Sequence, residues 1–272
     1  MPPRPSRPLA RRLTPGAGSY WALARTPRHA LVFALPLLLA YETLAAALGE
    51  ITGLGVRNGA DVWLKSPFAL LFGARGPVLF GALVVGGAAV AVWRDVRRAR
   101  DGVQGRVLVG MLAESVVMAV VCALVVGAAT AQLLRALPGA ATLAAPALAA
   151  LAPDPQPGGL ATMGAPARLM IALGAGLYEE LLFRVVLVGA LLLLARRVLG
   201  LGTVAANTVA VLVGALVFSA FHHVGPYGEP FTLAAFGFRA IAGLFFSALY
   251  VLRGFGIAAW THALYDVGVL MI

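Results

Sequence analysis

The chain has 272 residues, of which 61% are hydrophobic and only 12% are charged. In soluble domains about a quarter of all residues are charged, so this composition excludes an ordinary soluble protein and favours an integral membrane protein. The net charge of +10 comes from arginines that cluster beside apolar runs, without interleaved aromatic residues, and this placement argues against nucleic-acid binding.

The chain begins with a segment rich in proline and arginine, residues 1–28, which predicts a mobile basic segment before the first membrane helix. Apolar runs long enough to span a bilayer follow. The seven predicted spans are residues 29–49, 77–93, 107–134, 167–195, 203–224, 231–252 and 254–271. Residues 57–76 are amphipathic and predict an additional interfacial helix. The sequence therefore predicts an all-α fold, a polytopic transmembrane helical bundle that forms a single domain over residues 29–272.

The longest predicted connection, residues 136–166, contains six prolines and is expected to be an external loop or lid. The arginine clusters predict the orientation, because basic residues favour cytoplasmic loops. With a cytoplasmic N-terminus, the clusters in residues 94–106 and 196–197 also fall inside, and the C-terminus lies outside. We therefore expect a multi-pass plasma-membrane protein that contacts anionic lipids.

Ionisable residues inside the C-terminal apolar runs form three patterns with helical spacing. They are Glu179-Glu180-x-x-x-Arg184, Phe218-x-x-x-His222 and His262-x-x-x-Asp266. A charged side chain at the bilayer centre costs roughly 2.5–3.5 kcal/mol, so each of these residues is a candidate functional residue. Because residues four apart share a helix face, we expect Arg184 to pair with Glu180 and Glu179 to have no partner on its own helix. Gly174 and Gly176 allow either a close approach of a second helix or a water-filled pocket.

These patterns predict a reactive centre if their faces meet in the interior of the bundle. Such a cavity would contain Glu179, His222, His262 and Asp266. A glutamate and a histidine can activate water as a general base, and the other two residues can stabilise an oxyanion. Two histidines and a carboxylate can also bind a divalent metal such as zinc, with Glu179, His222 and His262 as its ligands.

Each pattern also has a structural alternative, and the sequence leaves these alternatives open. The Glu180 and Arg184 side chains can form a purely structural ion pair, and His222 can be an interfacial histidine. His262 and Asp266 can form a capping or interhelical hydrogen bond, while Phe218 packs around them. Three further charged residues within the spans stand alone in the sequence and are expected to pair between helices, namely Glu42, Glu114 and Arg239.

In this order on C-terminal transmembrane helices, the three patterns resemble those of the CPBP family of intramembrane proteases. That family includes the type II CAAX prenyl endopeptidases and the Abi proteins, and the resemblance covers about residues 167–272. It implies that Glu179 activates the water with His222 as its partner. The other implied roles are support of the site by Glu180 and Arg184, and oxyanion stabilisation or substrate holding by His262 and Asp266. Prenyl endopeptidases typically have Asn where this chain has Asp266, and the resemblance leaves a glutamic and a metal-dependent mechanism open.

The sequence therefore predicts an intramembrane endopeptidase that acts on a membrane-associated substrate or on a C-terminal tail. Its alanine-, glycine- and arginine-rich composition indicates a bacterial plasma-membrane enzyme. A proton-coupled transporter is one alternative, because intramembrane ionisable residues also mark ion pathways. A non-catalytic membrane chaperone or scaffold of the same fold is another.

Overall fold

The computed structural model describes residues 18–52, 57–136, 163–225 and 228–271, and within these ranges the regular elements are all helical. The helices are α1 (Tyr20–Leu23), α2 (Pro27–Thr52), α3 (Gly59–Phe72), α4 (Gly76–Ala99), α5 (Gly105–Ala136), α6, α7 (Thr203–Phe221), α8 (Leu233–Arg253) and α9 (Phe255–Met271). Helix α6 is α-helical over Ala165–Gly174 and Gly189–Arg197, with a π-helix over Ala175–Val188 between them. The all-α prediction is confirmed.

Five stretches of the described chain are long and apolar enough to cross a membrane. They are Pro27–Gly49, Gly59–Ala99, Gly105–Ala136, Thr203–Phe221 and Leu233–Arg253. The predicted count of seven spans is not confirmed, because α6 and α9 are not among the five. These two helices carry the first and third polar patterns. Helix α9 is also short, with 17 residues.

Helix α9 lies at the centre of the bundle, where it packs against α2, α5, α6 and α8. A glycine of α6 permits a close contact with α9. A Cβ atom on Gly176 would lie 2.5 Å from the Ala259 carbonyl oxygen and 2.5 Å from the Ala263 Cβ. A Cβ atom on Gly174 would similarly lie 2.5 Å from the Tyr41 ring. The predicted role of both glycines in close helix approach is confirmed.

Helix α3 forms within the predicted amphipathic segment, but it turns its charged face toward the protein. Asp61 is fully buried and Lys65 is 8% exposed, whereas Leu70 is 87% exposed. Apolar side chains on the outer face suit contact with lipid, and the charges on the inner face are paired with other protein groups. This arrangement differs from an interfacial helix, whose charged face lies in water.

The chain packs against the bundle before residue 29, where the first predicted span begins. Leu23 and Ala24 are buried, and the Arg28 guanidinium lies 3.0 Å from an Asp95 carboxylate oxygen on α4. Leu23, Ala24 and Arg28 are therefore packed against the protein, although they belong to the segment that was predicted to be mobile. Residues 1–17, and residues 137–162 of the predicted loop or lid, lie outside the described residues.

The charged residues that stand alone in the sequence have partners in the structure. On α2, Glu42 accepts a hydrogen bond of 2.7 Å from Lys65 Nζ on α3. On α5, Glu114 accepts from Arg253 of α8, at 2.5 and 2.7 Å. Interhelical pairing is confirmed for these two glutamates. Arg239 instead pairs with a residue of the preceding loop, described below.

Candidate active site

The first polar pattern lies on the π-helix of α6. A π-helix has i→i+5 hydrogen bonds and is rare, and it is frequently found at functional sites. Glu180 and Arg184 are fully buried here, and Glu179 is 9% exposed. Consecutive residues point in different directions around the helix, so the two glutamates face different neighbours.

The side chain of Glu179 lies between the end of α7 and the start of α3. Its Oε1 atom accepts a hydrogen bond of 3.0 Å from the side-chain amide of Asn58. Its Oε2 atom lies 3.8 Å from His222 Nε2, which is too long for a direct hydrogen bond. Glu179 is thus held through one oxygen, and the other oxygen faces an imidazole.

The orientation of His222 follows from its position directly after the last residue of α7. Its Nδ1 atom lies 2.8 Å from the Phe218 carbonyl oxygen, four residues earlier. Because a carbonyl only accepts hydrogen bonds, Nδ1 carries the hydrogen, and Nε2 of the neutral ring is left with a lone pair. Nε2 is also the nitrogen that lies nearest to Glu179 Oε2. The end of α7 therefore brings His222 beside Glu179, in the π-helical middle of α6.

The loop after His222 is held against α8 by an ion pair. The Glu229 backbone N–H donates to the His222 carbonyl oxygen at 2.8 Å, and the Glu229 carboxylate forms an ion pair with Arg239. The neighbouring His223 Nδ1 lies 3.1 Å from the Glu229 carbonyl oxygen. Arg239 therefore holds the loop that follows the second pattern. The sequence contained no spacing signal for this contact.

Glu180 has a different set of neighbours. Its Oε1 atom lies 3.2 Å from an Arg184 guanidinium nitrogen and 2.8 Å from His262 Nδ1. The Arg184 guanidinium also lies over the Phe218 ring, 4.5 Å from its centroid. An arginine on an aromatic face is favourable when both are shielded from water, so Phe218 contributes to packing and to charge stabilisation.

The third pattern completes the centre from α9. The His262 ring stacks on Phe246 with centroids 4.2 Å apart, and its Nε2 atom lies 3.7 Å from an Asp266 carboxylate oxygen. His262 thus lies between two carboxylates, those of Glu180 and Asp266. The expected Glu180–Arg184 contact is present. The additional contact between Glu180 and His262 was not predicted, because the spacing indicated only Arg184 as the partner of Glu180.

A metal-binding arrangement is not supported by the donor geometry. No three His, Cys, Asp or Glu side chains of the described ranges converge on a point where an ion could be held. Of the three predicted ligands, Glu179 and His222 face each other, whereas His262 has Glu180 and Asp266 as its nearest carboxylates. The set Glu179, His222 and His262 therefore does not fit a common zinc ion, whose ligands lie about 2.0–2.2 Å from the metal.

A second polar cluster, formed by Tyr41, Glu42, Arg57, Asp61 and Lys65, lies beside Asn58. Asp61 forms ion pairs of 2.8 Å with Arg57 and 2.6 Å with Lys65. Sequence reasoning did not include Asn58 or this cluster in the site. The available signal was an Asn at the start of the predicted amphipathic segment, residues 57–76, which is typical of a helix N-cap. That signal indicates a cap but does not reveal a contact with Glu179, which lies 121 positions away in the sequence.

The apolar helices and the buried acid–base groups define the class of this protein as a multi-pass helical membrane protein with a candidate active site inside the bundle. Residues 162–268 match the family described as type II CAAX prenyl endopeptidase Rce1-like, a family of proteases. The match contains all three polar patterns and confirms the resemblance found in the sequence. No curated protein and no solved structure matched the chain.

Proposed function

We propose that this chain is an intramembrane endopeptidase in which Glu179 and His222 activate the attacking water. The observation that carries the proposal is the facing pair of acceptors, Glu179 Oε2 and His222 Nε2, at 3.8 Å. One water oxygen can lie about 2.8 Å from both atoms and donate one hydrogen to each. The small exposure of Glu179, 9%, leaves it accessible to a substrate, whereas Glu180 has none.

The reaction follows from this geometry. Glu179 takes a proton from the water as its oxygen bonds to the scissile carbonyl carbon, and His222 orients the water through the second hydrogen bond. The carbonyl oxygen becomes an oxyanion in the tetrahedral intermediate. When the C–N bond breaks, Glu179 returns its proton to the leaving nitrogen. The products are a carboxylic acid and an amine, and the carboxylate of Glu179 is regenerated.

His262 is proposed as the oxyanion donor, positioned by Glu180. Its Nδ1 atom donates to Glu180, so the ring can offer a second N–H only when Nε2 also carries a hydrogen. The nearest Asp266 oxygen lies 3.7 Å from that nitrogen, too far for a direct hydrogen bond, and Asp266 cannot itself donate to an oxyanion while ionised. This role for Asp266 differs from the one an Asn would have at the same position.

The proposed substrate is a peptide or protein whose scissile bond lies in or next to the membrane, either in a C-terminal tail or in a membrane-associated segment. Two features support this class. The site lies in the interior of a bundle of apolar helices, and the matched family consists of endopeptidases. The localisation proposed from the arginine clusters is the plasma membrane, with the N-terminus in the cytoplasm.

The proposal can be tested by mapping the termini of membrane proteins by mass spectrometry in cells that produce the wild type, Glu179→Gln or Asp101→Asn. Asp101 is an exposed carboxylate between α4 and α5 and serves as the matched control for loss of one charge. We expect new termini with the wild type and Asp101→Asn, and none with Glu179→Gln. Termini that persist in Glu179→Gln would show that another residue is the base.

The same cleavage can then be followed with purified protein in the presence of a metal chelator. Because the donors do not converge on an ion, we expect the rate to be unchanged. Loss of cleavage that is restored by added zinc would contradict the metal-independent mechanism.

A further inference from the structure

The side chain of Asn58 has two different contacts that together determine its orientation. Its Oδ1 atom accepts a hydrogen bond of 2.9 Å from the Ala60 backbone N–H and so caps the start of α3. A backbone N–H only donates, so the opposite atom of the amide must be the nitrogen. That nitrogen, Nδ2, donates to Glu179 Oε1 at 3.0 Å. Asn58 is 4% exposed, so neither hydrogen bond competes freely with water.

The backbone of Asn58 is held just as firmly. Its N–H donates to the Tyr41 hydroxyl at 3.1 Å, and that hydroxyl donates to Asp61 at 2.9 Å. Tyr41 and Asp61 are fully buried. On the other side, a Cβ atom on Gly174 would lie 2.7 Å from the Asn58 Cβ, so only glycine leaves room for Asn58 at this distance from α6.

These contacts select one of the two Glu179 oxygens. The amide occupies Oε1, and Oε2 is the oxygen that lies 3.8 Å from His222. A hydrogen-bond donor at the start of a helix restricts rotation of the carboxylate. It also stabilises the negative charge of Glu179 without placing a cation next to it.

We infer that Asn58 is a positioning residue of the active site, which holds the Glu179 carboxylate with Oε2 toward His222 and the attacking water. This inference rests on the proposed function of Glu179. It extends the site beyond residues 162–268, the part of the chain that matches the protease family. Helix α3 thereby becomes part of the catalytic apparatus as well as of the fold.

Two substitutions separate positioning from capping. Ser and Asp cap helices about as well as Asn, so Asn58→Ser and Asn58→Asp keep the start of α3. Asn58→Ser removes the amide donor, and Asn58→Asp replaces it with a second carboxylate. With a synthetic peptide that spans the bond found by terminus mapping, we expect kcat to fall about 10- to 100-fold for Asn58→Ser and further for Asn58→Asp, since hydrogen bonds to charged groups have effects of this size. KM should be unchanged, because both hydrogen bonds of the Asn58 side chain are made to the protein itself.

A second measurement does not depend on activity. The thermal stability of the purified full chain should be close to wild type for Asn58→Ser and clearly lower for Asn58→Asp, where two carboxylates face each other. Adding Glu179→Gln to Asn58→Asp should restore the midpoint temperature, because the Gln amide can donate to the new Asp. If Glu179→Gln leaves the Asn58→Asp midpoint unchanged, the two side chains do not interact and the inference is wrong.

The outcomes also distinguish this inference from the proposed function. Cleavage that survives Glu179→Gln would overturn the proposed base and, with it, the positioning role. Cleavage that is lost in Glu179→Gln but retains the wild-type kcat in both Asn58→Ser and Asn58→Asp would overturn the positioning role alone and leave Asn58 as a helix cap.

Discussion

Glu179 and Glu180 are neighbours in the chain, yet they lie in opposite environments. Glu180 is fully buried, beside the Arg184 cation and the His262 ring. Glu179 has no arginine or lysine within ion-pair distance among the described residues, and its neighbours are the Asn58 amide and His222. A carboxylate that a cation compensates suits a structural role, whereas one held by a neutral donor and partly exposed can exchange a proton. Because both residues are glutamates, the difference between their roles comes from their neighbours.

The comparison is tested most strongly by Glu179→Gln. We expect the cleavage rate to fall about 10²- to 10⁴-fold, the usual contribution of general base catalysis. The midpoint of thermal unfolding should stay level or rise, because the Gln carbonyl still accepts from Asn58 and a buried charge is removed. Cleavage kinetics and thermal denaturation of the purified protein check both expectations. A near-normal rate would mean that Glu179 is not the base.

Arg184→Ala should give the opposite result, a loss of stability. It leaves Glu180 buried without its cation, a change that costs about 3–5 kcal/mol when water cannot reach the charge. The membrane-inserted yield and the unfolding midpoint should both fall. As a control, combining Arg184→Met with Glu180→Gln should recover much of the yield, because it removes both charges. A wild-type yield for Arg184→Ala alone would place this pair in a wet cavity.

Gly176→Ala should disturb the packing of α6, which carries Glu179 and Glu180, against α9. The new Cβ would lie 2.5 Å from Ala259 and Ala263, so the helices must separate, at a cost of about 1–3 kcal/mol. Cleavage should also fall, because His262 lies on α9. Gly87→Ala on α4 is the matched control, since its Cβ would meet no atom within 4 Å. The prediction fails if the two variants have the same unfolding midpoint.

Arg57→Ala should have the smallest effect, because this charge lies at the edge of the cluster beside Asn58. Its side chain is 32% exposed, and Asp61 keeps Lys65 as a second partner at 2.6 Å. We expect a loss below about 1 kcal/mol. A loss as large as that of Arg184→Ala would show that the cluster behaves like the buried Glu180 side of the site.

The effect of Arg57→Ala should also be independent of pH. Burial lowers the pKa of Arg57, but the hydrogen bond and charge of Asp61 and the charge of Glu42 outweigh it, and the net pKa is raised. A raised pKa contributes stability below the unfolded-state value and loses it only as pH rises through the folded-state value. Arginine stays charged up to pH values above about 12, so urea unfolding from about pH 5 to pH 9 should give a constant difference from wild type.

Local properties of the sequence determined much of the fold. Long apolar runs predicted the ends of α2, α4, α5, α7 and α8 to within six residues, because hydrophobic length and helix formation are properties of each segment alone. The i,i+4 spacing likewise predicted the Glu180–Arg184 contact, since both residues lie within one turn of the same helix. The protease resemblance also depended only on residue order and spacing.

Tertiary structure decided which groups meet. Whether His262 faces Glu179 or Glu180 depends on how α6 and α9 are rotated against each other, and on the π-helix that changes the phase of α6. Glu179 meets Asn58 only because Gly174 lets the start of α3 approach α6. Neither arrangement has a local pattern in the sequence, because each depends on contacts between segments about a hundred residues apart.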